Sequence, residues 1–347
     1  MRSGVPNQGV TNSLTDGSSL RDHIPSRTDC VIGVDIGGTK VAVGLVDANG
    51  KILRSERAPM IANDGPSSGL AAVVAAVNSL DADAFAIKAI GICAPGPLDP
   101  FTGVVINPPN LPCWRNFPLA AEISKTWKIP VKVDNDGNAG ALAESLWGAG
   151  KGYRNVFYAT VGTGVGSGIV FDGHIYHGRT GAAAEGGHVT IDYHGPRCAC
   201  GKYGCIEALA AGPAIARAAR ERLAADSSQS IMLSLAAGKI EDVSSEIVGQ
   251  AYANGDAVAR EVLEQNVEYL TIWLGNIVEL LEPDVIIMGG GVSSLLHPFF
   301  GQIRKKLPSW CLNSRSNEIP IVLTHYGSDA GIAGGAALCS EVLRAER

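Results

Sequence analysis

Charged residues are scarce in this sequence, and like charges form no long blocks. Lys, Arg, Asp and Glu together make up 18% of the 347 residues, and the formal net charge is −6 at pH 7. Binding to nucleic acid or to an anionic membrane surface needs a basic face. The composition therefore predicts neither kind of partner.

Long apolar runs are also missing at the start of the chain. The first 29 residues are polar and rich in Ser, Asn and Gly, with no run long enough for a signal peptide or a membrane span. We expect a disordered tail there and a cytoplasmic protein. Because the cytoplasm is reducing, disulfides between the eight cysteines are disfavoured.

The glycine-rich segment at 31–46, VIGVDIGGTKVAVGLV, lacks both of the common nucleotide-binding patterns. It joins two predicted strands, whereas the P-loop and the dinucleotide fingerprint both open a helix. Its turn at 37–39 can nevertheless direct backbone N–H groups at an anion, because glycine lets a phosphate come close. Asp35, at the end of the first strand, could hold Mg²⁺ through water.

Glycine itself is abundant, and two further glycine clusters follow predicted strands. The turn at 162–164 lies between strands expected at 155–161 and 167–171, and the cluster at 289–291 follows a buried strand. A single turn of this kind is more often an ordinary hairpin. Three of them favour one shared anionic ligand.

The order of strands and helices indicates an α/β fold. A chain of this length exceeds one ordinary core, which suggests two domains. A strand pair around a Gly-Thr turn occurs at 31–46 and again at 155–171, as a coarse repeat. The Pro-rich segment 94–118 predicts no regular structure, and only a short third strand is expected near residue 52.

Two aspartates, Asp134 and Asp136, stand at a strand end just before a predicted helix, in VDNDGNAGALAE. A carboxylate is ionised at pH 7 and can accept the proton of an alcohol. A helix N-terminus stabilises such a charge. Capping is the commoner use of Asp in this place, and the residues alone leave both interpretations open.

Three cysteines fall within eight residues of the segment 185–207, EGGHVTIDYHGPRCACGKYGCIE. With His188, they form a Cys₃His set that suits structural Zn²⁺: Cys198, Cys200 and Cys205. The spacing CxCx₄C departs from the common CxxC knuckle, and a redox pair remains an alternative. The loop has too little apolar content to bury itself, which favours a metal.

The other cysteines and histidines show no ligand spacing. Cys93 is expected to be a small core residue. The remaining histidines, His177 among them, have no partner pattern and are expected to be ordinary surface or core residues.

The glycine motifs, taken in order, resemble those of a known superfamily. DIGGTK, GTGVGSG and IIMGGGV resemble the two phosphate motifs and the adenosine motif of the actin-like sugar kinases. The cysteine segment narrows the resemblance to the ROK family (repressors, open reading frames and kinases), over about residues 30 to 345. The resemblance implies a two-lobed, actin-like (ribonuclease H-like) α/β fold, with ATP on the larger lobe and a sugar in the cleft between the lobes.

The same resemblance implies a division of the chain. A disordered tail, 1–29, precedes a small lobe at 30–133. The C-terminal helix, 329–347, joins that lobe. The large lobe, 134–328, carries the zinc loop at 185–207.

Roles for the motif residues also come from the resemblance. Asp136 is the implied base. The implied sugar contacts are Gly96, Asn110, Asn135, Glu185, His188 and Glu207. The implied contacts to ATP and Mg²⁺ are Asp35, Gly37, Gly38, Thr39, Lys40, Gly162, Thr163, Gly164, Gly289, Gly290 and Gly291. The implied ligands of a structural Zn²⁺ are His188, Cys198, Cys200 and Cys205.

Three residues depart from the family pattern. Gly137 stands where many relatives have Ala, Ala184 where relatives often have Gly, and Ala211 where many have Ser. None of these changes removes a ligand.

We therefore expect an ATP- and Mg²⁺-dependent hexose kinase, specifically a glucokinase that makes glucose 6-phosphate. The alternatives within this class are an N-acetylhexosamine kinase, for N-acetylglucosamine or N-acetylmannosamine, and a fructokinase. Repressors of the family carry an N-terminal helix-turn-helix, which about 29 polar residues are not expected to form. Members are commonly homodimers or homotetramers, and the apolar stretch 256–281 could serve an interface or a core.

Overall fold

The computed structural model describes residues 27–226 and 230–344. The predicted disordered tail lies outside the described residues as far as residue 26. Its last two residues, Thr28 and Asp29, already belong to the first strand.

The described elements alternate between strands and helices. The strands are β1 (Thr28–Ile36), β2 (Lys40–Val46), β3 (Ile52–Pro59), β4 (Phe85–Ala94), β5 (Leu98–Asp99), β6 (Val104–Val105), β7 (Val131–Asn135), β8 (Asn155–Val161), β9 (Val165–Phe171), β10 (His174–Ile175), β11 (Val285–Gly289) and β12 (Ile321–Leu323). The helices are α1 (Pro66–Asn78), α2 (Leu119–Trp127), α3 (Asp136–Trp147), α4 (Ile206–Ala210), α5 (Gly212–Ala225), α6 (Met232–Leu235), α7 (Ser245–Ala253), α8 (Ala257–Leu281), α9 (Gly291–Leu296), α10 (Phe300–Lys306), α11 (Ala330–Leu338) and α12 (Ser340–Arg344). Short 3₁₀ turns lie at Gly186–His188, Ile240–Asp242, His297–Phe299, Leu307–Ser309, Ser316–Glu318 and Gly327–Asp329.

Two five-stranded sheets have the same architecture. Their strand orders are β3-β2-β1-β4-β7 and β10-β9-β8-β11-β12. In each, the first three strands are antiparallel and the last three are parallel. The repeated hairpins β1–β2 and β8–β9 start the two halves, which confirms the predicted repeat and the two-part α/β fold.

Two helices, α3 and α11, pack between the two sheets. α11 packs on β1 and β4, α3 packs on β8 and β9, and the two helices pack on each other. α11 reads AGIAGGAAL, and its small residues let it lie close to both neighbours. Separate apolar cores cover the outer faces of the sheets, with α1 and α2 on one side and α5 and α8 on the other. The predicted lobe boundaries stay a prediction.

This arrangement places the candidate residues at strand ends. β1 and β7 are parallel to β4, and β8 is parallel to β11. Ligands of open α/β sheets bind beyond the carboxyl ends of parallel strands. Asp35, Asn135 and the turn after Val161 all lie at such ends.

Two expectations about local structure were wrong. The Pro-rich segment contains a hairpin of two short strands, in which Leu98 pairs with Val105 and Asp99 with Val104. β3 continues to Pro59, because antiparallel pairing with β2 supports a polar edge strand whose residues 54–57 are exposed. Of the described helices, not one combines the length and hydropathy of a membrane span.

Candidate active site

A cavity of about 370 Å³ is lined by residues from both halves of the fold. It brings together nine of the predicted site residues: Asn110, Asn135, Asp136, Gly162, Thr163, Gly164, Glu185, His188 and Glu207. Gly96 is not among its lining residues, although a Cβ on Gly96 would lie 3.5 Å from the Asn135 Nδ2 atom. We call this cavity the cleft.

A second cavity, of about 640 Å³, adjoins the cleft. Gly162 and Thr163 line both, so the turn between β8 and β9 forms their boundary. Pro213, at the start of α5, and Val292, on α9, contribute to the second cavity. Of the third glycine cluster, Gly291 reaches its wall, whereas Gly289 and Gly290 do not line it. We call it the nucleotide pocket, because the family resemblance implies that Gly162 and Gly291 in its wall contact ATP.

The start of α3 presents two polar side chains to the cleft. Asn135 is the N-cap, and its Oδ1 accepts a hydrogen bond of 2.8 Å from the Gly137 N–H. The Asp136 Oδ1 lies at the same distance from this N–H. Asp136 is open to the cleft but surrounded by protein elsewhere, and this desolvation raises the pKa of its carboxyl, against the lowering effect of the Gly137 N–H.

A second carboxylate, Asp35, is half-buried at the end of β1. Desolvation raises its pKa, the charge of Asp136 adds to the rise, and Lys40 and Arg57 oppose it. Asp35 thus offers a carboxylate of the kind that Mg²⁺ prefers as a ligand.

The first phosphate-type turn packs against Asn110. The Gly37 N–H donates to the Lys40 carbonyl at 2.9 Å, which closes the turn. A Cβ on Gly38 would lie 2.7 Å from the Asn110 carbonyl oxygen, so only glycine fits. Asn110 is therefore placed between this turn and the cleft.

Glu207 connects the second turn to the cysteine cluster. Its Oε2 accepts a hydrogen bond of 3.0 Å from the Val165 N–H, and its Oε1 lies 3.7 Å from the Cys198 Sγ. A Cβ on Gly164 would lie 2.6 Å from Oε2, so a larger residue there would displace the Glu207 carboxylate. Glu207 follows Cys205, the N-cap of α4, by two residues. The position of the Glu207 carboxylate therefore depends on the turn between β8 and β9 and on the cysteine segment.

Glu185 is exposed to the cleft, on a segment that the protein holds firmly. The Ser167 hydroxyl donates to the Ala184 carbonyl at 2.6 Å and accepts from the Gly186 N–H at 3.0 Å. The Trp273 Nε1–H donates to the Gly186 carbonyl at 3.0 Å. Desolvation raises the pKa of Glu185; His188 lowers it, while Asp136 and Glu207 raise it further. Sequence reasoning missed Ser167 and Trp273, since no motif marks them.

The residue before Glu185 is strained. Ala184 has φ of 65°, in the left-handed region that favours glycine. Ala184→Gly is expected to raise the free energy of unfolding by about 1 kcal/mol, measured by urea denaturation. Ala183→Gly is the matched control, because Ala183 is not among the described residues with positive φ, and there the substitution should lower stability by about 0.5 kcal/mol. Equal effects at the two positions would contradict the assignment of strain.

The four predicted zinc ligands form one cluster. Their ligand atoms all lie within 4.8 Å of one another. The His188 Nδ1 is 3.7 Å from the Cys198 Sγ, and the Cys200 and Cys205 Sγ atoms are 3.6 Å apart. A tetrahedron with Zn–S bonds of about 2.3 Å has edges of about 3.8 Å, so the cluster fits Zn²⁺. Because Nδ1 faces the cluster, Nε2 of His188 is left for another partner.

The thiols of this cluster differ in acidity. Burial raises the pKa of Cys205 to about 12 and also raises the pKa of Cys198. The backbone N–H of Lys202 lowers the pKa of Cys200. A metal that binds here must displace protons from the two buried thiols, so its affinity falls as the pH falls.

Asp134, the second candidate base, has a different environment. It is buried, and its Oδ1 accepts from the Asn135 N–H at 2.7 Å and from Asn138 Nδ2 at 3.0 Å. Its Oδ2 lies 2.6 Å from the Nε2 of His177. The sequence around His177 shows no partner pattern, because this contact joins segments 43 residues apart. With its oxygens occupied, Asp134 is not the carboxylate that a substrate can reach.

The two adjoining cavities, the phosphate-type turn on their boundary and the accessible carboxylate are parts that an enzyme needs to bring a nucleotide and an alcohol together. Residues 31–342 match the ROK family, and the chain belongs to that family. This match confirms the predicted family, and the glucokinase relatives described next confirm the predicted class of enzyme, an ATP-dependent sugar kinase.

Three similar proteins illustrate the relationship. The chain is 33% identical over 311 residues to a glucokinase from Thermotoga maritima, which covers 90% of this chain and 97% of that protein. It is 31% identical over 309 residues to an N-acetylmannosamine kinase from Salmonella typhi, covering 88% and 97%. A crystal structure of a ROK family glucokinase from Streptomyces griseus, in complex with glucose and AMPPNP, superimposes with a TM-score of 0.76 at 33% identity, covering 89% and 98%.

Proposed function

We propose that this protein is a glucokinase, which transfers the terminal phosphate of ATP to the 6-hydroxyl of glucose. The observation that carries the proposal is the shared boundary of the two cavities. Gly162 and Thr163 separate the nucleotide pocket from the cleft, and Asp136 lies on the cleft side. A phosphoryl group at this boundary would be within reach of a sugar hydroxyl held beside Asp136.

In the cleft, Asp136 receives the proton of the attacking hydroxyl, since an ionised carboxylate is an acceptor. The sugar hydroxyls need fixed polar partners, because mobile side chains lose entropy on binding. The side chains that we assign to the sugar are Asn110, Asn135, Glu185, His188 and Glu207, with Gly96 behind Asn135. His188 contributes its Nε2 and Glu207 the oxygen beside Cys198.

In the nucleotide pocket, α5 begins at the boundary, and the N-terminus of this 14-residue helix favours phosphate there. The apolar side chains of Val292 and Leu295 suit an adenine ring. We assign Lys40 a place beside the phosphates and Gly291 a place near the adenosine, with the backbone of Gly289 and Gly290 holding Gly291 in position. The backbone groups that we assign to the phosphates are those of Gly37, Gly38, Thr39, Gly162, Thr163 and Gly164.

Two metal ions complete the proposal. Mg²⁺ neutralises charge on the phosphates when it is bound, and Asp35 is the residue that would hold it. Zn²⁺ stabilises the loop at 185–207, held by His188 and the three clustered cysteines. The loop then presents the two glutamates at its ends to the sugar.

A substrate panel tests the proposal. We expect kcat/KM to be highest for glucose among glucose, mannose, fructose, N-acetylglucosamine and N-acetylmannosamine. The relative from Salmonella typhi favours N-acetylmannosamine as the second candidate. A higher kcat/KM for an N-acetyl sugar would replace glucose by that substrate. Sugar binding without any phosphate transfer would indicate a regulator of the same family instead.

The raised pKa of Asp136 has a consequence for the pH–rate profile. A base must be ionised, so kcat/KM for the sugar should rise with pH, with a midpoint above the ordinary Asp value of 3.8. The profile is measured at saturating ATP, and zinc content is assayed at each pH to exclude loss of the metal. Glu185→Gln is the control: its profile should keep the acid limb. A midpoint at or below the ordinary value would contradict this assignment.

A further inference from the structure

The Asp134–His177 pair lies outside the cleft but is directly linked to it. Asp134 is 3% exposed, and His177 comes from the segment after β10. The Nε2–H of His177 can donate to the Asp134 carboxylate whether the imidazole is neutral or charged. Neither residue lines the cleft.

From Asp134, the link continues to the reacting groups. Its Oδ1 accepts the backbone N–H of Asn135, the N-cap of α3, and the side chain of Asn138 one turn of the helix further on. One buried carboxylate thereby holds the strand end and the first turn of the helix. These are the two backbone segments on either side of Asp136.

His177 is also linked to the segment that leads to Glu185, another residue that lines the cleft. Its backbone carbonyl accepts the Ala183 N–H at 3.2 Å, which closes the turn that leads into Glu185. His177 thus joins two segments: its imidazole contacts Asp134, next to the segment that carries Asp136, and its backbone carbonyl holds the segment that leads to Glu185. A displacement of about 1 Å at reacting atoms can lower a rate about 100-fold.

We propose that His177 is a positioning residue for phosphoryl transfer, which fixes Asn135 and Asp136 through Asp134 and orients them relative to Glu185. This inference rests on the proposed kinase activity. It assigns no substrate contact to His177.

His177 and Asp134 both line a third cavity, of about 550 Å³, which shares no lining residue with the cleft. The His177 ring is in edge contact with Phe101, at 5.5 Å between centroids, and its side chain is 25% exposed. A small molecule can therefore enter the place of the imidazole without passing through the cleft. This makes chemical rescue a direct test of the hydrogen bond.

The experiment compares variants of the full chain by initial-rate kinetics. His177→Ala is expected to lower kcat about 10- to 100-fold and to leave the KM for ATP within about twofold of wild type. Added imidazole should raise the kcat of His177→Ala at least about tenfold and should not change the kcat of the wild type. His177→Gln keeps an N–H donor near the position of Nε2 and should retain most of the activity.

Two further variants complete the design. His174→Ala is the matched control, because His174 lines the same third cavity and its ring nitrogen contacts the Asp172 carbonyl instead of Asp134, and it should keep the wild-type kcat. His177→Phe keeps the ring volume and removes the donor, so it replaces alanine should that variant not fold. A folded His177→Phe or His177→Ala variant with the wild-type kcat overturns the inference. The inference is also overturned if kcat falls in His177→Ala and neither added imidazole nor the His177→Gln variant recovers it. Absence of activity in the wild type would instead refute the proposed function.

Discussion

Asp136→Asn is expected to lower the kcat for hexose phosphorylation by about 10³-fold, with little change in sugar affinity. The amide has the size of the carboxylate and keeps the hydrogen bond with Gly137, but it cannot accept the proton of the sugar hydroxyl. The assay follows ADP formation, and the Kd of the sugar is measured by calorimetry. Retained turnover would move the role of base to another group. A parallel loss of sugar binding would make Asp136 a binding residue instead.

The same substitution should stabilise the protein. The pKa of Asp136 is raised in the folded state, so the native protein binds this proton more tightly than the unfolded chain does. Stability from this group is therefore present at low pH and is lost as the pH rises from the ordinary value of 3.8 through the raised pKa. At neutral pH, the wild type carries the cost of a desolvated charge at Asp136, whereas the neutral amide of Asp136→Asn does not. The Tm of the variant should therefore exceed the wild-type Tm. The difference should shrink towards pH 3.8.

The neighbouring aspartate provides a control of opposite sign. Asp134 uses both oxygens as acceptors, for Asn135, Asn138 and His177. Asp134→Asn presents an NH₂ group to one of these donors and should lower the free energy of unfolding by about 1–3 kcal/mol. Thermal unfolding of the two variants at neutral pH should therefore move in opposite directions. Shifts of the same sign would contradict the different roles of the two carboxylates.

The groups that could be predicted from sequence are those whose chemistry depends on residue type at a fixed spacing. The cysteine cluster is local in sequence, and three thiols and an imidazole meet as their pattern indicates. The hairpins at 31–46 and 155–171 are local as well, and their repetition reveals the two related sheets. The choice of Asp136 as the base came from the family motif around it, since position alone left Asp134 equally eligible, and it stays a prediction.

The supporting residues could not be predicted, because their contacts join distant parts of the chain. Trp273 bonds to Gly186 across 87 residues, and His177 meets Asp134 across 43. A lone histidine or tryptophan has no pattern that names such a partner. The sequence also does not indicate which glycines of a cluster line a cavity. Of the cluster at 289–291, only Gly291 lines the nucleotide pocket, since Gly289 is buried as the last residue of β11.

Cys200→Ser is expected to release zinc and to raise the KM of the sugar at least about tenfold, with the KM of ATP little changed. Cys200 is exposed and does not line the cleft, so the substitution removes a metal ligand without touching the sugar site. We expect an effect on the sugar because His188 belongs to the cluster and Glu207 follows the cluster residue Cys205 by two positions. Cys311→Ser, a half-buried cysteine outside the cluster, should leave both values unchanged.

Zinc content by mass spectrometry and initial-rate kinetics on the same samples test this coupling. A chelator applied to the wild type should reproduce the rise in the sugar KM, and added Zn²⁺ should reverse it. Removal should be easier at mildly acidic pH, because protons compete for the buried thiols of Cys198 and Cys205, whose pKa values are raised. If zinc leaves and the sugar KM stays constant, the loop holds its shape without metal. The glutamates at its ends would then be placed by Ser167, Trp273 and the Val165 N–H alone.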